Sequence, residues 1–138
     1  PDSIDEFAAC ALTDLKQLRQ LFVDPFYFGC EADDRMVSTA FNKRLNPLGV
    51  TLKPVFGSDI GHWDVLDATS ILSEAWSLVR GRLITEENFR DLTFVNPAMM
   101  HLSMNPDYFK GTVVESAAAK LLRERAAAEP ALSTGDAP

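Results

Sequence analysis

The sequence has little cysteine and little histidine, with two residues of each in 138. Neither Cys10 nor Cys30 lies in a CxxC or other metal-binding spacing. Isolated cysteines are typical of reduced thiols in a cytoplasmic protein, and a single disulfide is the less favoured alternative.

Basic residues and long apolar runs are also scarce. Thirteen Lys and Arg face 20 Asp and Glu, a net charge of −7, whereas a nucleic-acid-binding domain normally carries a basic face. No apolar run approaches the roughly 20 residues of a membrane span. The acidic N-terminus does not resemble a signal peptide. We therefore expect a cytoplasmic protein with neither nucleic acid nor membrane as a partner.

What remains is an ordinary globular composition, 46% hydrophobic and 24% charged, in a length that suits one domain. The pattern contains no internal repeat and no clear domain boundary. The chain starts at Pro1 without an initiator methionine, so we expect either processing or a piece of a longer protein.

Capping residues and apolar periodicity predict a chain that is mostly helical, with two strands. The predicted strands are Phe26–Phe28 and Val50–Phe56, the second weakened by Pro54. The predicted helices are a helix capped by Thr13 or Asp14 and ending near Leu21, then Arg35–Leu45, Ala68–Val79 capped by Asp67, Glu86–Val95 capped by Thr85, a short helix from Asn96-Pro97 to His101, and Val113–Ala127. Residues 129–138 are predicted to form a flexible tail.

A cluster of polar and aromatic residues follows the second predicted strand. The segment reads Phe56-Gly57-Ser58-Asp59-Ile60-Gly61-His62-Trp63-Asp64. An apolar strand that ends in such a cluster is how a βα barrel presents catalytic groups, which makes Asp59 the first candidate. The alternative is a Gly-Ser-Asp turn, with Asp64 or Asp67 capping the next helix.

Two strands cannot form an ordinary sheet, because parallel strands need pairing at their edges and cover on both faces. We therefore expect them to pair with other chain segments or with a second copy of this chain.

Several stretches together resemble the amidohydrolase-related family of metal-dependent TIM-barrel hydrolases and decarboxylases. The stretches are Tyr27–Asp34, Phe56–Val65, Glu74–Trp76, Leu83–Arg90, Asn96-Pro97 and Met104–Glu115. The resemblance implies an α/β fold, namely the C-terminal (βα)2 portion of a TIM (β/α)8 barrel over residues 1–128, with a helical C-terminal extension. A complete barrel has about 250 residues.

The resemblance also implies a site. Asp59 matches the last-strand aspartate, which serves the family as metal ligand and as general base. The metal would be Zn²⁺, with Mn²⁺ the alternative, and the substrate a small carboxylic or aromatic molecule. The family's first-strand His-x-His pair and mid-barrel histidines are absent, and a catalytic zinc usually has three protein ligands. We therefore expect activity of the parent protein, and not of these 138 residues alone.

Three neighbours of Asp59 are candidate substrate contacts, each with a structural alternative. His62 would touch substrate or orient Asp59, or else bond to backbone. Trp63 would line the pocket or pack on the barrel rim. Glu31 would contact substrate or serve at a helix entry. The rival hypothesis for the whole chain is a non-catalytic half-barrel that assembles with its missing N-terminal half, with another chain or with itself.

Overall fold

The computed structural model of the chain describes residues 9–128. Within them the chain is rich in helix and has one small parallel sheet, which confirms an α/β protein. It divides into two compact units, the first ending at Asn96 and the second starting at Pro97. The predicted flexible tail, residues 129–138, lies outside the described residues.

The sheet consists of two strands, β1 (Phe28–Cys30) and β2 (Pro54–Phe56). They run parallel, with Phe28 opposite Pro54 and Cys30 opposite Phe56. The helices of the first unit are α1 (Leu15–Phe22), α2 (Val37–Phe41), α3 (Ile71–Ala75), α4 (Ser77–Arg80) and α5 (Glu86–Arg90). Within residues 9–128, no helix is long and apolar enough to cross a membrane.

The first strand has the predicted length but begins two residues later, at Phe28 and not Phe26, and the second strand is shorter than predicted. Leu52 lies inside the predicted strand Val50–Phe56, but its N–H donates to the carbonyl of Ala40, 2.8 Å away at the end of α2. The ladder therefore begins only where the Phe28 N–H meets the carbonyl of Lys53, at 3.0 Å. Pro54 comes next as the first strand residue, a position that a residue without an N–H tolerates. Phe26 precedes β1, and the centroid of its ring lies 5.8 Å from that of the Phe22 ring.

Local side-chain bonds decide several helix boundaries. The Asp14 carboxylate accepts from the Gln17 N–H at 2.8 Å, as an N-cap of α1 should. Thr85 and Asn88 form a reciprocal capping box at the start of α5, which confirms the predicted cap. By contrast, α2 stops early, because the Asn42 side chain accepts from the N–H groups of Arg44 and Leu45 and forms a turn there.

The predicted helix Ala68–Val79 is two short helices, α3 and α4, joined at Trp76. Asp67 does not cap it. Its carboxylate instead accepts from the Thr69 N–H at 2.8 Å and the Thr69 hydroxyl at 2.6 Å, which makes a turn before α3. Trp76 packs edge-on against Phe89, with ring centroids 4.8 Å apart.

Asn96 was predicted to cap a new helix, but the helix is continuous through it. From α5 the chain passes through a π-helical turn at Asp91–Val95 into α6 (Asn96–Leu102), and the Asn96 N–H donates to the carbonyl of Asp91. The turn ends two residues before Pro97, which has no N–H to donate and whose ring would clash with the carbonyl four residues earlier in a regular helix. The Asn96 side chain is buried, and its amide donates to the Pro54 carbonyl at 2.8 Å.

The core of the first unit lies where α2, α4 and the π-helical turn meet the sheet. Its buried members are Val37, Leu78, Ile84 and Leu92. Phe56 of β2 packs against this cluster and also against a smaller one formed by Ala32, Ile71 and Ala75. Through Phe56, β2 therefore packs against the helices, as the strands of α/β proteins do.

The second unit contains the rest of α6 and the last helix, α7 (Glu115–Ala128). His101, in the last turn of α6, stacks on Tyr108 with ring centroids 4.2 Å apart. Phe109 meets the Tyr108 ring edge-on at 4.9 Å. His101 therefore belongs to an aromatic cluster of the second unit, and not to the strand ends of the first.

Candidate functional site

The carboxyl ends of β1 and β2 meet at one edge of the sheet, and each strand is followed by an acidic residue. Glu31 comes directly after β1, and Asp59 lies three residues beyond Phe56 at the end of β2. The Gly57 N–H donates to the Cys30 carbonyl at 2.7 Å, which extends the ladder by one bond. Residues after neighbouring parallel strands emerge side by side, so this is where the fold brings them together.

There is little room for a side chain at position 57. A Cβ there would come 3.1 Å from the Cys30 carbonyl oxygen, which is backbone of the neighbouring strand. It would also approach the Asp59 Oδ1 atom to 3.7 Å. The first distance is tight and the second is an ordinary contact, so the absent side chain favours the close approach of β1 to β2 at this position.

Asp59 has a left-handed backbone conformation, with φ of 51°. This is uncommon for a residue with a Cβ, although aspartate tolerates it better than most. The turn closes with a bond from the His62 N–H to the Asp59 carbonyl at 3.0 Å. Gly61, with φ of 106°, lies within the same turn. This tight turn determines where the Asp59 carboxylate projects.

His62 lies beside Asp59, with its Nδ1 atom 3.3 Å from the Asp59 Oδ2 atom. About a third of the Asp59 side chain and two thirds of the His62 side chain are exposed, at 33% and 66%. Solvent screens a pair this exposed, so we assign it a positioning effect and little stabilisation.

A cavity of about 310 Å³ opens between the strand ends and α3. Six carboxylates line it, from Glu31, Asp33, Asp59, Asp64, Asp67 and Glu74, together with Ala32, Ser58, Val65, Leu66, Ser70 and Ile71. Its lining contains no Lys, Arg or His. The cavity therefore carries concentrated negative charge.

The sequence-predicted residues have different relations to this cavity. Asp59 and Glu31 line it, whereas His62 and Trp63 do not. Trp63 is 91% exposed. Asp33, Asp67 and Glu74 also line the cavity, although the sequence pattern predicted Asp67 only as a helix cap and assigned neither of the other two to a site. What these three residues have in common in the sequence is their position, since each lies on a segment that follows one of the two strands.

Two titrating groups near the strands have shifted pKa values. Hydrogen bonds from the Thr69 hydroxyl and N–H lower the pKa of the exposed Asp67 carboxyl. Burial, and then the charge of Asp34, raise the pKa of the Cys30 thiol. Cys30 is therefore a protonated, half-buried thiol with little nucleophilic character.

The described residues do not complete a metal centre. Within residues 9–128, no group of three or more His, Cys, Asp and Glu side chains has an arrangement that could hold a metal ion. A catalytic zinc usually needs three protein ligands. Asp59, with His62 beside it, falls short of that number, so any metal here would need ligands from elsewhere.

Comparison with known proteins gives no further guidance. No protein-family model, no curated protein and no solved structure matches this chain.

Proposed function

We propose that this chain is the C-terminal part of an amidohydrolase-like barrel, and that Asp59 supplies one carboxylate to a divalent metal centre. The observation that carries the proposal is the position of Asp59. It follows the end of a parallel strand, is held in a tight left-handed turn, and lines a cavity shared with Glu31 from the neighbouring strand. Catalytic residues of barrel enzymes come from this end of the strands.

The open sheet supports the same proposal. Consecutive carbonyls of a strand point to opposite edges, and the Lys53 carbonyl accepts from β1. The Pro54 carbonyl therefore points to the other edge of β2, where among the described residues it is met by the Asn96 side chain. β1, in contrast, pairs only with β2 in the described sheet, so its outer edge is open. A further strand from outside residues 9–128 would cover that edge, and other strands of the barrel would bring the remaining ligands, the expected metal being zinc with manganese as the alternative.

The parent reaction would be hydrolysis or non-oxidative decarboxylation of a small carboxylic or aromatic substrate. In it, Asp59 would be both the metal ligand and the proton acceptor, His62 would hold its carboxylate, and Glu31 would contact the substrate in the cavity. Trp63, which does not line the cavity, would contact only a part of the substrate that extends beyond it. Because the described residues do not complete the metal site, the proposal assigns activity to the assembled barrel. The unpaired Cys10 and Cys30 thiols support a cytoplasmic location.

The experiment is a metal analysis of the gene product isolated at its natural length. We expect about one zinc or manganese per chain, and loss of most of it in Asp59→Asn. Asp64→Asn is the matched control, because it removes another carboxylate of the same cavity and should leave the metal in place. Equal metal content in the two variants would contradict the role of Asp59.

The second candidate is a half-barrel that assembles without catalysis, and one observation favours it. The loop after β2 exposes large apolar side chains, among them Trp63 at 91% and Leu66 at 93%. Exposed apolar residues of this size are typical of a binding surface. Sedimentation of the 138-residue chain in the presence of EDTA, together with a zinc titration of the EDTA-free chain, separates the two proposals, since a chain that dimerises stably and takes up no zinc supports the half-barrel alone.

A further inference from the structure

A second cavity, of about 770 Å³, opens in the first unit beside the end of α2 and the segment that joins α4 to α5. Its apolar lining consists of Phe41, Val79, Leu83 and Ile84. Ile84 is buried, and the other three are half-buried. The volume lies within the range of about 300–1,000 Å³ typical of small-molecule sites.

The charged residues that line this cavity are Lys43 and Arg82, and no Asp or Glu lines it. Within residues 9–128, neither cation has an ion-pair partner within 4.0 Å. Glu86 and Glu87 follow Thr85 in sequence but do not contribute to the lining. Two exposed cations without acidic partners among the described residues therefore line one cavity in a chain whose net charge is −7.

Two asparagines add hydrogen-bond donors to the same cavity. The Asn42 Oδ1 atom accepts from the N–H groups of Arg44 and Leu45, at 3.0 and 3.3 Å. The Asn88 Oδ1 atom accepts from the Thr85 N–H at 3.2 Å. Both acceptor atoms are thus used within the chain, and both NH₂ groups remain available as donors. The lining is therefore rich in donors as well as positively charged.

Arg82 has an unusual backbone conformation. Its φ of 57° is left-handed, which is unfavourable for a side chain as large as arginine. The conformation is fixed by bonds from the Arg82 N–H to the Val79 carbonyl and from the Leu83 N–H to the Leu78 carbonyl, each 2.9 Å. These two bonds are those of a Schellman motif, so the left-handed conformation is accounted for by the C-terminus of α4.

We propose that this cavity binds a small organic anion. The phosphate or carboxylate group of the ligand lies at Lys43 and Arg82 and accepts from the amides of Asn42 and Asn88. The apolar body of the ligand packs on Phe41 and its neighbours. This site is independent of Asp59 and of any metal, because it shares no residue with the acidic cavity.

The test is isothermal titration calorimetry of the full chain with phenyl phosphate and with benzoate, and with benzyl alcohol as the uncharged comparator. We expect both anions to bind more tightly than benzyl alcohol, and the tighter of the two identifies the preferred head group. Arg82→Gly and Lys43→Gln should each weaken anion binding about tenfold or more, because each removes a charged donor.

Arg82→Gly keeps the left-handed backbone without strain, so its loss of binding is not a loss of folding. An unchanged melting temperature verifies this. Lys110→Gln is the control, because Lys110 lies in the second unit beside Asp107 and should bind the anions as wild type does. Absence of anion binding by the wild type, or affinities unchanged in Arg82→Gly and Lys43→Gln, would overturn the proposal.

Discussion

The bond from Asn96 to Pro54 permits a quantitative test of how the sheet is held. Asn96 is 9% exposed, and its amide lies 2.8 Å from the Pro54 carbonyl across 42 residues of sequence. The Pro54 side chain is less than 2% exposed, so water has little access to this carbonyl. Asn96→Ala leaves a buried acceptor without its donor, which costs about 1–3 kcal/mol. For a chain of this size, that is a fall in melting temperature of roughly 4–12 °C.

Thermal unfolding followed by circular dichroism measures this change. Asn105→Ala is the control, because the Asn105 side chain is exposed and its one bond among the described residues is to the nearby Asp107 N–H, so we expect an effect within about 0.5 kcal/mol. Asn96→Asp adds a pH test. Its carboxyl can donate to Pro54 only when protonated, so folding raises its pKa. The stability of this variant should therefore be greater at low pH and fall as pH rises through that pKa. A loss below about 0.5 kcal/mol in Asn96→Ala would refute the reasoning.

Three further predictions concern other elements of the first unit. Gly57→Ala should destabilise the protein by about 1–3 kcal/mol in denaturant unfolding, since its Cβ would lie 3.1 Å from the Cys30 carbonyl oxygen. A neutral effect would show that the two strands can move apart at this position. Thr85→Ala should cost about 1 kcal/mol in the same assay by removing the cap of α5, whereas Thr85→Ser should retain most of the stability. Burial raises the pKa of the Cys30 thiol, so the protonated thiol contributes to the stability of the folded protein. This contribution is fully present below the pKa that the thiol has in the unfolded chain, and it is lost as pH rises through the higher pKa of the folded protein. Stability should decline at alkaline pH in the wild type and less so in Cys30→Ala, and parallel curves would contradict this.

The sequence predicted best those features that neighbouring residues decide. The cap at Thr85 depends on residues within one helical turn, and the pattern located it correctly, whereas the reciprocal bond from Asn88 is a finding of the structure. The start of β2 was misplaced because it depends on the bond from Leu52 to Ala40, which joins positions that no short pattern relates. Asn96 was misassigned as a cap for the same reason, since its side-chain partner lies 42 residues away.

The same difference between local patterns and distant contacts applies to the candidate sites. Asp59 and Glu31 were predictable because each comes after an apolar strand, and strands in parallel end at the same edge. The cavity that we propose to bind an anion was not predictable, because Lys43 and Arg82 line one cavity only through the packing of α2 against α4. In the sequence, neither residue belongs to a pattern that indicates a binding site.

The central claim is that strands from outside the described residues complete this sheet, and the Gly29 amide tests it most directly. The Phe28 N–H points toward β2, so the next N–H, that of Gly29, points to the open edge of β1. Amide hydrogen exchange should be measured at Gly29 in the monomeric 138-residue chain and in the gene product as isolated from its source. We predict rapid exchange in the first and at least about 100-fold protection in the second, because a barrel strand would bond this amide. Equally rapid exchange in both would contradict the barrel account.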